Sequence, residues 1–142
     1  MGWDLYDGPM QPDQPDPNGI RAAESDIARL QRKILAFADE RDWRQFHDPK
    51  NLSMAVAVEA GELMDHFRWV RSEQSRSVLD DARTRAEVEE EVADVAILLL
   101  EFAAVCGIDI VAAVERKLAR NAERYPVELS RGRAEKHDRL RG

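Results

Sequence analysis

Residues 51–70 read NLSMAVAVEAGELMDHFRWV and residues 87–101 read EVEEEVADVAILLLE. Each stretch carries acids at i and i+3: Glu59 and Glu62 in the first, Glu91 and Asp94 in the second. On a helix such residues share a face. In the first stretch Leu52, Val56, Leu63, Phe67 and Val70 form one apolar sector. Glu59 falls inside it, and Glu62 and His66 lie at its edge. In the second, Val88, Val92, Val95, Leu99 and Phe102 form the apolar stripe. Glu87, Glu91, Asp94 and Leu98 run beside it, inside the bundle rather than on its solvent side. A buried carboxylate without a partner is costly and tends to protonate. Two facing helices that each present such a pair therefore gather a four-carboxylate cage that calls for a cation.

The rest of the chain reads as a frame for that cage. Its 142 residues suit one domain with one core. A composition rich in Ala, Leu, Val, Glu and Arg, with 6% aromatic residues, favours helices over sheet. The net charge of −7 argues against general nucleic-acid affinity, so a polyphosphate substrate would need a metal and a local basic cluster. The single cysteine, Cys106, lies in an apolar run and reads as a buried structural thiol. No N-terminal run resembles a signal peptide and no span reaches membrane length, so the expectation is a soluble cytoplasmic protein without a membrane partner.

Residues 1–20 hold Pro9, Pro12, Pro15 and Pro17 with no apolar period, and read as a flexible arm. The helical domain is expected over 21–126, followed by a basic, mobile tail over 127–142. A first helix starts at Ser25 or Asp26 and runs to Glu40, burying Ile27, Leu30, Ile34 and Phe37. Next comes RDWRQFHDPKN, closed by Asp48-Pro49, a specific helix start. This loop gathers Trp43, Phe46, His47, Lys50 and Asn51. Either it holds a base and steadies phosphates, or its aromatics plug the end of the bundle; His47 taken alone is a weaker candidate than the loop as a whole. The second helix is expected from Pro49 to Arg71, with Gly61 leaving room for a neighbouring helix or the metal cluster. After a polar segment to Asp81, a third helix spans Ala82 to Cys106 and stops at Gly107. Asp109 caps a fourth helix to Arg124, with Val114 and Leu118 toward the core. Its polar edge, Lys117, Asn121 and Arg124, is either a phosphate and sugar contact line or a solvated face.

All-oxygen ligands favour Mg²⁺ or Mn²⁺ over zinc. Such ions bridge phosphate oxygens and acidify water, which suits phosphoanhydride hydrolysis. A di-iron site would need Glu-x-x-His pairs. His47, His66 and His137 are instead preceded at that spacing by Arg44, Leu63 and Ala134. The competing non-catalytic reading is a helical interaction module whose acids are salt-bridged.

Four ordered motifs carry a resemblance: ERDW-x-x-FH-x-PKNL at 40–52, VEAGEL at 58–63, EEEVADV at 89–95, and K-x-x-x-N-x-x-RYPV-x-LSRG at 117–132. Together they resemble the all-α nucleoside triphosphate pyrophosphohydrolases, and within them the MazG-like branch that includes the dCTP pyrophosphatases. The resemblance implies a four-helix bundle-like fold that assembles into a dimer or tetramer, with neighbouring subunits completing the sites. It implies Mg²⁺-dependent cleavage of a (deoxy)nucleoside triphosphate to monophosphate and pyrophosphate, a house-cleaning role in nucleotide metabolism. It assigns Glu59, Glu62, Glu91 and Asp94 as metal ligands and catalytic acids. It sets Trp43 and Trp69 around the base, and Lys117, Asn121 and Tyr125 on the nucleotide, with Lys50 and Asn51 beside it. One of the cage acids, or a neighbour such as Glu90, orients the attacking water. Ile34 and Leu98 stand where the dCTP-hydrolysing enzymes have a histidine and a tyrosine. One turn beyond Asp94, Leu98 is expected to look into the substrate cavity. Two apolar residues there predict an apolar far wall and broad base acceptance.

Overall fold

The computed structural model describes residues 25–134. The expected arm over 1–20 and the end of the tail lie outside these residues. Four short polar side chains set the starts of the principal helices. Ser25 accepts the Ala28 N–H at 3.2 Å and opens α1, Asp26–Asp39. Asp48 accepts the Asn51 N–H at 2.8 Å and opens α2, Pro49–Asp65, with proline in the first turn. Asp81 accepts the Thr84 N–H at 2.8 Å before α3, Ala82–Val105. Asp109 accepts the Ala112 N–H at 3.0 Å before α4, Ile110–Arg124. Each cap satisfies a donor that the first turn of a helix leaves orphaned. A single helical turn, α5 at Val127–Ser130, follows within the segment expected to be tail.

The ends of α1 and α3 share one motif. Ile108 and Gly107 donate back to the carbonyls of Ala103 and Ala104 at 2.8 and 3.1 Å, with Gly107 at φ 63°. Trp43 and Asp42 donate likewise to Ala38 and Asp39, both at 3.0 Å, with Asp42 at φ 53°. Positive φ suits glycine and is tolerated by Asp, whose short side chain bonds locally. Here the Asp42 carboxylate accepts from Gln45 Nε2 at 2.9 Å. This reversal turns the chain out of α1 and sets Trp43 at its end.

The second helix is shorter than expected. It ends at Asp65, and the chain to Val70 continues as turns, with Phe67 donating to Met64 and Val70 to Phe67, both at 3.0 Å. The tighter turns keep Phe67 and Val70 half-buried while reversing the chain toward α3. Trp69 is left 86% exposed. Two 3₁₀ turns, Ser72–Gln74 and Ser77–Asp80, fill the segment expected to be irregular.

Helix α3 is the axis of the fold: α2 packs along it, α1 beside it, and the second 3₁₀ turn against its start. Ala38, Leu52, Val88, Leu100 and Ala103 are the fully buried apolar residues among those described. That is a small core for so many apolar side chains. Val92 and Leu99, expected in the core stripe, are half-exposed. Helix α4 bends away from α3 by 102° and buries none of its residues. Val114 and Leu118, expected toward the core, therefore face outward. The all-α expectation holds, but the fourth helix does not close a bundle within one chain. Among the described residues no single helix is long and apolar enough to cross a membrane.

Candidate active site

Three of the four acids singled out in the sequence converge. Glu59 and Glu62 from α2 and Glu91 from α3 each bring a carboxylate oxygen within 4.8 Å of the others. The α2–α3 packing that buries Leu52 and Val88 holds the two helices at this distance. Glu91 Oε2 is buried and has no hydrogen-bond partner. Glu59 has its pKa raised, first by desolvation, then by the charges of Glu62, Asp94 and Glu91. Like charges crowded beside an orphaned buried oxygen form an arrangement that a cation relieves, and oxygen-only donors suit a hard divalent ion. Asp94 stands outside the three-oxygen set and is exposed, yet lies near enough to act on Glu59.

Asp94 also lies on the wall of a cavity of about 440 Å³ between α1, the loop after it, and α3. Ile34, Phe37 and Trp43 form one side, and Ile97 and Leu98 the other. Trp43 is braced edge-on by Phe37, with ring centroids 5.8 Å apart. Ile34 and Leu98 thus line the same space. The far wall is not wholly apolar, however. Glu101 and His47 line it as well.

His47 was a candidate from the sequence, but Glu101 and its pairing with His47 were missed. Glu101 is 3% exposed, and His47 Nδ1 donates to its Oε1 at 2.6 Å. Since a carboxylate oxygen accepts, Nδ1 carries the hydrogen. The signal was an acid between Leu100 and Phe102 in an otherwise apolar run, seven residues after Asp94 and so on the same helix face. Its partner lies 54 residues away, beyond the reach of any helical period. Gln31 Nε2 donates to the Leu100 carbonyl at 3.1 Å, tying α1 to α3 nearby. Arg44, in the same loop as His47, has its pKa raised by its hydrogen bond to Asp39, opposed by desolvation and aided by the charges of Asp39 and Glu101.

The other expected substrate residues are placed less uniformly. Asn51 serves the loop itself, its amide donating to the Phe46 carbonyl at 3.0 Å and to Asp48 Oδ2 at 3.1 Å. Lys50 is exposed in the first turn of α2. Trp69 lies outside the cavity lining, with the Arg68 guanidinium 4.9 Å from its ring centroid. Lys117, Asn121 and Tyr125 belong to α4 and its C-terminal cap, and no residue of that helix lines the cavity. Gly61 does not answer to close packing: a Cβ built there meets nothing within 4 Å.

The chain is similar to known proteins over most of its length. The chain is 44% identical to dCTP pyrophosphatase 1 of Rattus norvegicus over 117 residues, 82% of this chain and 69% of the relative. It is 41% identical to dCTP pyrophosphatase 1 of Homo sapiens over the same shares. A crystal structure of a pyrophosphatase from Archaeoglobus fulgidus DSM 4304 superposes with a TM-score of 0.69 at 38% identity, covering 75% of this chain and 98% of that one. The MazG-like family model matches residues 54–140, which include the three converging acids, Asp94 and Glu101. The chain belongs to the MazG-like family.

Proposed function

We infer that this chain is a nucleotide pyrophosphohydrolase that cleaves a deoxynucleoside triphosphate, dCTP foremost, to the monophosphate and pyrophosphate with Mg²⁺. The carrying observation is the convergence of Glu59, Glu62 and Glu91 beside a cavity reached through Asp94. Relatives named for dCTP hydrolysis support the base. Hard oxygen donors support Mg²⁺, with Mn²⁺ as a substitute. A bound divalent cation supplies charge neutralisation along the triphosphate and acidifies water. The protein's own contribution is positional. Glu59, Glu62, Glu91 and Asp94 would hold the cation, and Trp43 would offer an aromatic face to the base. A water oxygen bonds to the α-phosphorus while the bond to its bridging oxygen breaks, and pyrophosphate leaves with that electron pair. The water's proton passes to a nearby carboxylate.

We further propose a homo-oligomer, dimer or tetramer. The exposed apolar faces of α2 (Met54, Val58), α3 (Val92, Leu99) and α4 (Val114, Leu118) support it, since a monomer rarely leaves so much apolar surface open. In such an assembly Trp69, Lys117, Asn121 and Tyr125 would serve a neighbouring cavity. Cleaning of a nucleotide pool would suit work in the cytoplasm.

The deciding experiment incubates the protein with Mg²⁺ and a panel of common and modified nucleoside triphosphates and identifies the released anion. Pyrophosphate is the expected product. Orthophosphate would overturn attack at the α-phosphorus, and no product from any triphosphate would favour an interaction module.

A further inference from the structure

The buried Glu101–His47 pair takes no part in holding a cation, and nothing in the mechanism above requires it. A carboxylate beside apolar walls in a nucleotide pocket has to be satisfied, and His47 engages Oε1. Its position along α3 is informative. Asp94 and Glu101 line the same cavity and are seven residues apart, about 10 Å along the helix axis. That is the scale of a nucleotide from its α-phosphate to the far edge of its base. With the cation at the Asp94 end and the base against Trp43, the base edge meets Glu101.

We propose that Glu101 is a specificity-determining residue that accepts a hydrogen bond from the exocyclic amine of the base, with His47 positioning it. The proposal rests on the pyrophosphohydrolase reading and deepens it. Cytosine and adenine present an amine donor where uracil and thymine present a carbonyl acceptor. A carboxylate oxygen can only accept, so it pairs with the amine and repels the carbonyl. This replaces the broad base acceptance that an apolar wall would give. Ile34 and Leu98 leave their part of the cavity apolar, and the Glu101–His47 pair supplies polar readout from different positions of the same pocket.

The test compares kcat/KM for dCTP and dUTP, which differ at the base amine, in the wild type, Glu101→Gln and Glu101→Asp. The wild type should prefer dCTP by about tenfold or more. Glu101→Gln, which adds a donor in the same shape, should lower that ratio by about tenfold, mainly through KM, while Glu101→Asp retains its direction. Equal wild-type rates on the two substrates overturn the proposal without any variant, even if the variants fail to fold. So does a Glu101→Gln protein that loses activity on both substrates in proportion, because that marks a purely structural pair. If the wild type releases pyrophosphate from no triphosphate, the enzymatic reading fails separately. Calorimetric titration with dCMP and dUMP then decides: tighter dCMP binding supports Glu101 as the reader, and equal binding overturns it.

Discussion

Helix α3 carries two carboxylates in opposite circumstances, Glu91 half-buried and Glu101 buried. Glu91 leaves one oxygen without a partner and sits among acids, whereas Glu101 is held by an imidazole from a loop far away in sequence. Removing a charge has opposite consequences at the two sites. At Glu91 other acids crowd an oxygen that has no hydrogen-bond partner, so removing the charge relieves repulsion. At Glu101 the native arrangement is already satisfied, so cutting either half leaves a polar group stranded. The first pattern suits a site that binds a cation, the second a site preorganised to read a ligand.

The largest effect that could break this contrast is catalytic. Glu91→Gln should lower the rate of pyrophosphate release by about 10³-fold or more, because several kcal/mol of charge stabilisation go with the cation. The same variant should melt at or above the wild-type temperature without metal. Adding Mg²⁺ to about one hundred times its Kd should stabilise the wild type by about 2.7 kcal/mol and the variant far less. A variant that stays active, or melts well below wild type, would make Glu91 a structural salt-bridge partner.

Next in size is the cost of severing the other carboxylate. His47→Ala should destabilise the metal-free protein by about 2–3 kcal/mol, below the roughly 3–5 kcal/mol of a fully buried broken pair because His47 keeps some solvent contact. Denaturant titration measures it, and a value near zero would mean that Glu101 finds another partner. Helix propensity gives a smaller and opposite change between the acids of α2. Gly61→Ala should stabilise the isolated chain by about 0.5–1 kcal/mol, since a Cβ there meets open space. If the substitution instead breaks an oligomer seen by light scattering, a second copy occupies that space.

The smallest effect tests the frame that holds both carboxylates. The pKa of Asp81 is lowered, first by the Thr84 backbone N–H and then by the Thr84 hydroxyl. A folded pKa below the unfolded value gives stability that is complete above the unfolded value and lost as pH falls through the folded one. Asp81→Ala should therefore lower the Tm at neutral pH, with the difference closing below the carboxylate range. A pH-independent difference would assign the loss to something other than the charged cap.

Much of this was legible in residues close together in sequence. The caps Ser25, Asp48 and Asp109 and the stop at Gly107 act within a turn of themselves, so the starts of α1, α2 and α4 and the end of α3 could be read directly. The i, i+3 acids were visible for the same reason, because a helix converts spacing into a shared face. Tertiary structure alone decided which faces met. It ended α2 at Asp65, turned α4 away with its apolar face open, and left Asp94 at the cavity rather than with the other three acids. It also closed His47 onto Glu101 across 54 residues. No local period encodes such a contact: it exists because the reversal at Asp42 carries the Trp43 loop back over α3, and a buried carboxylate is stable there only with a donor to meet it.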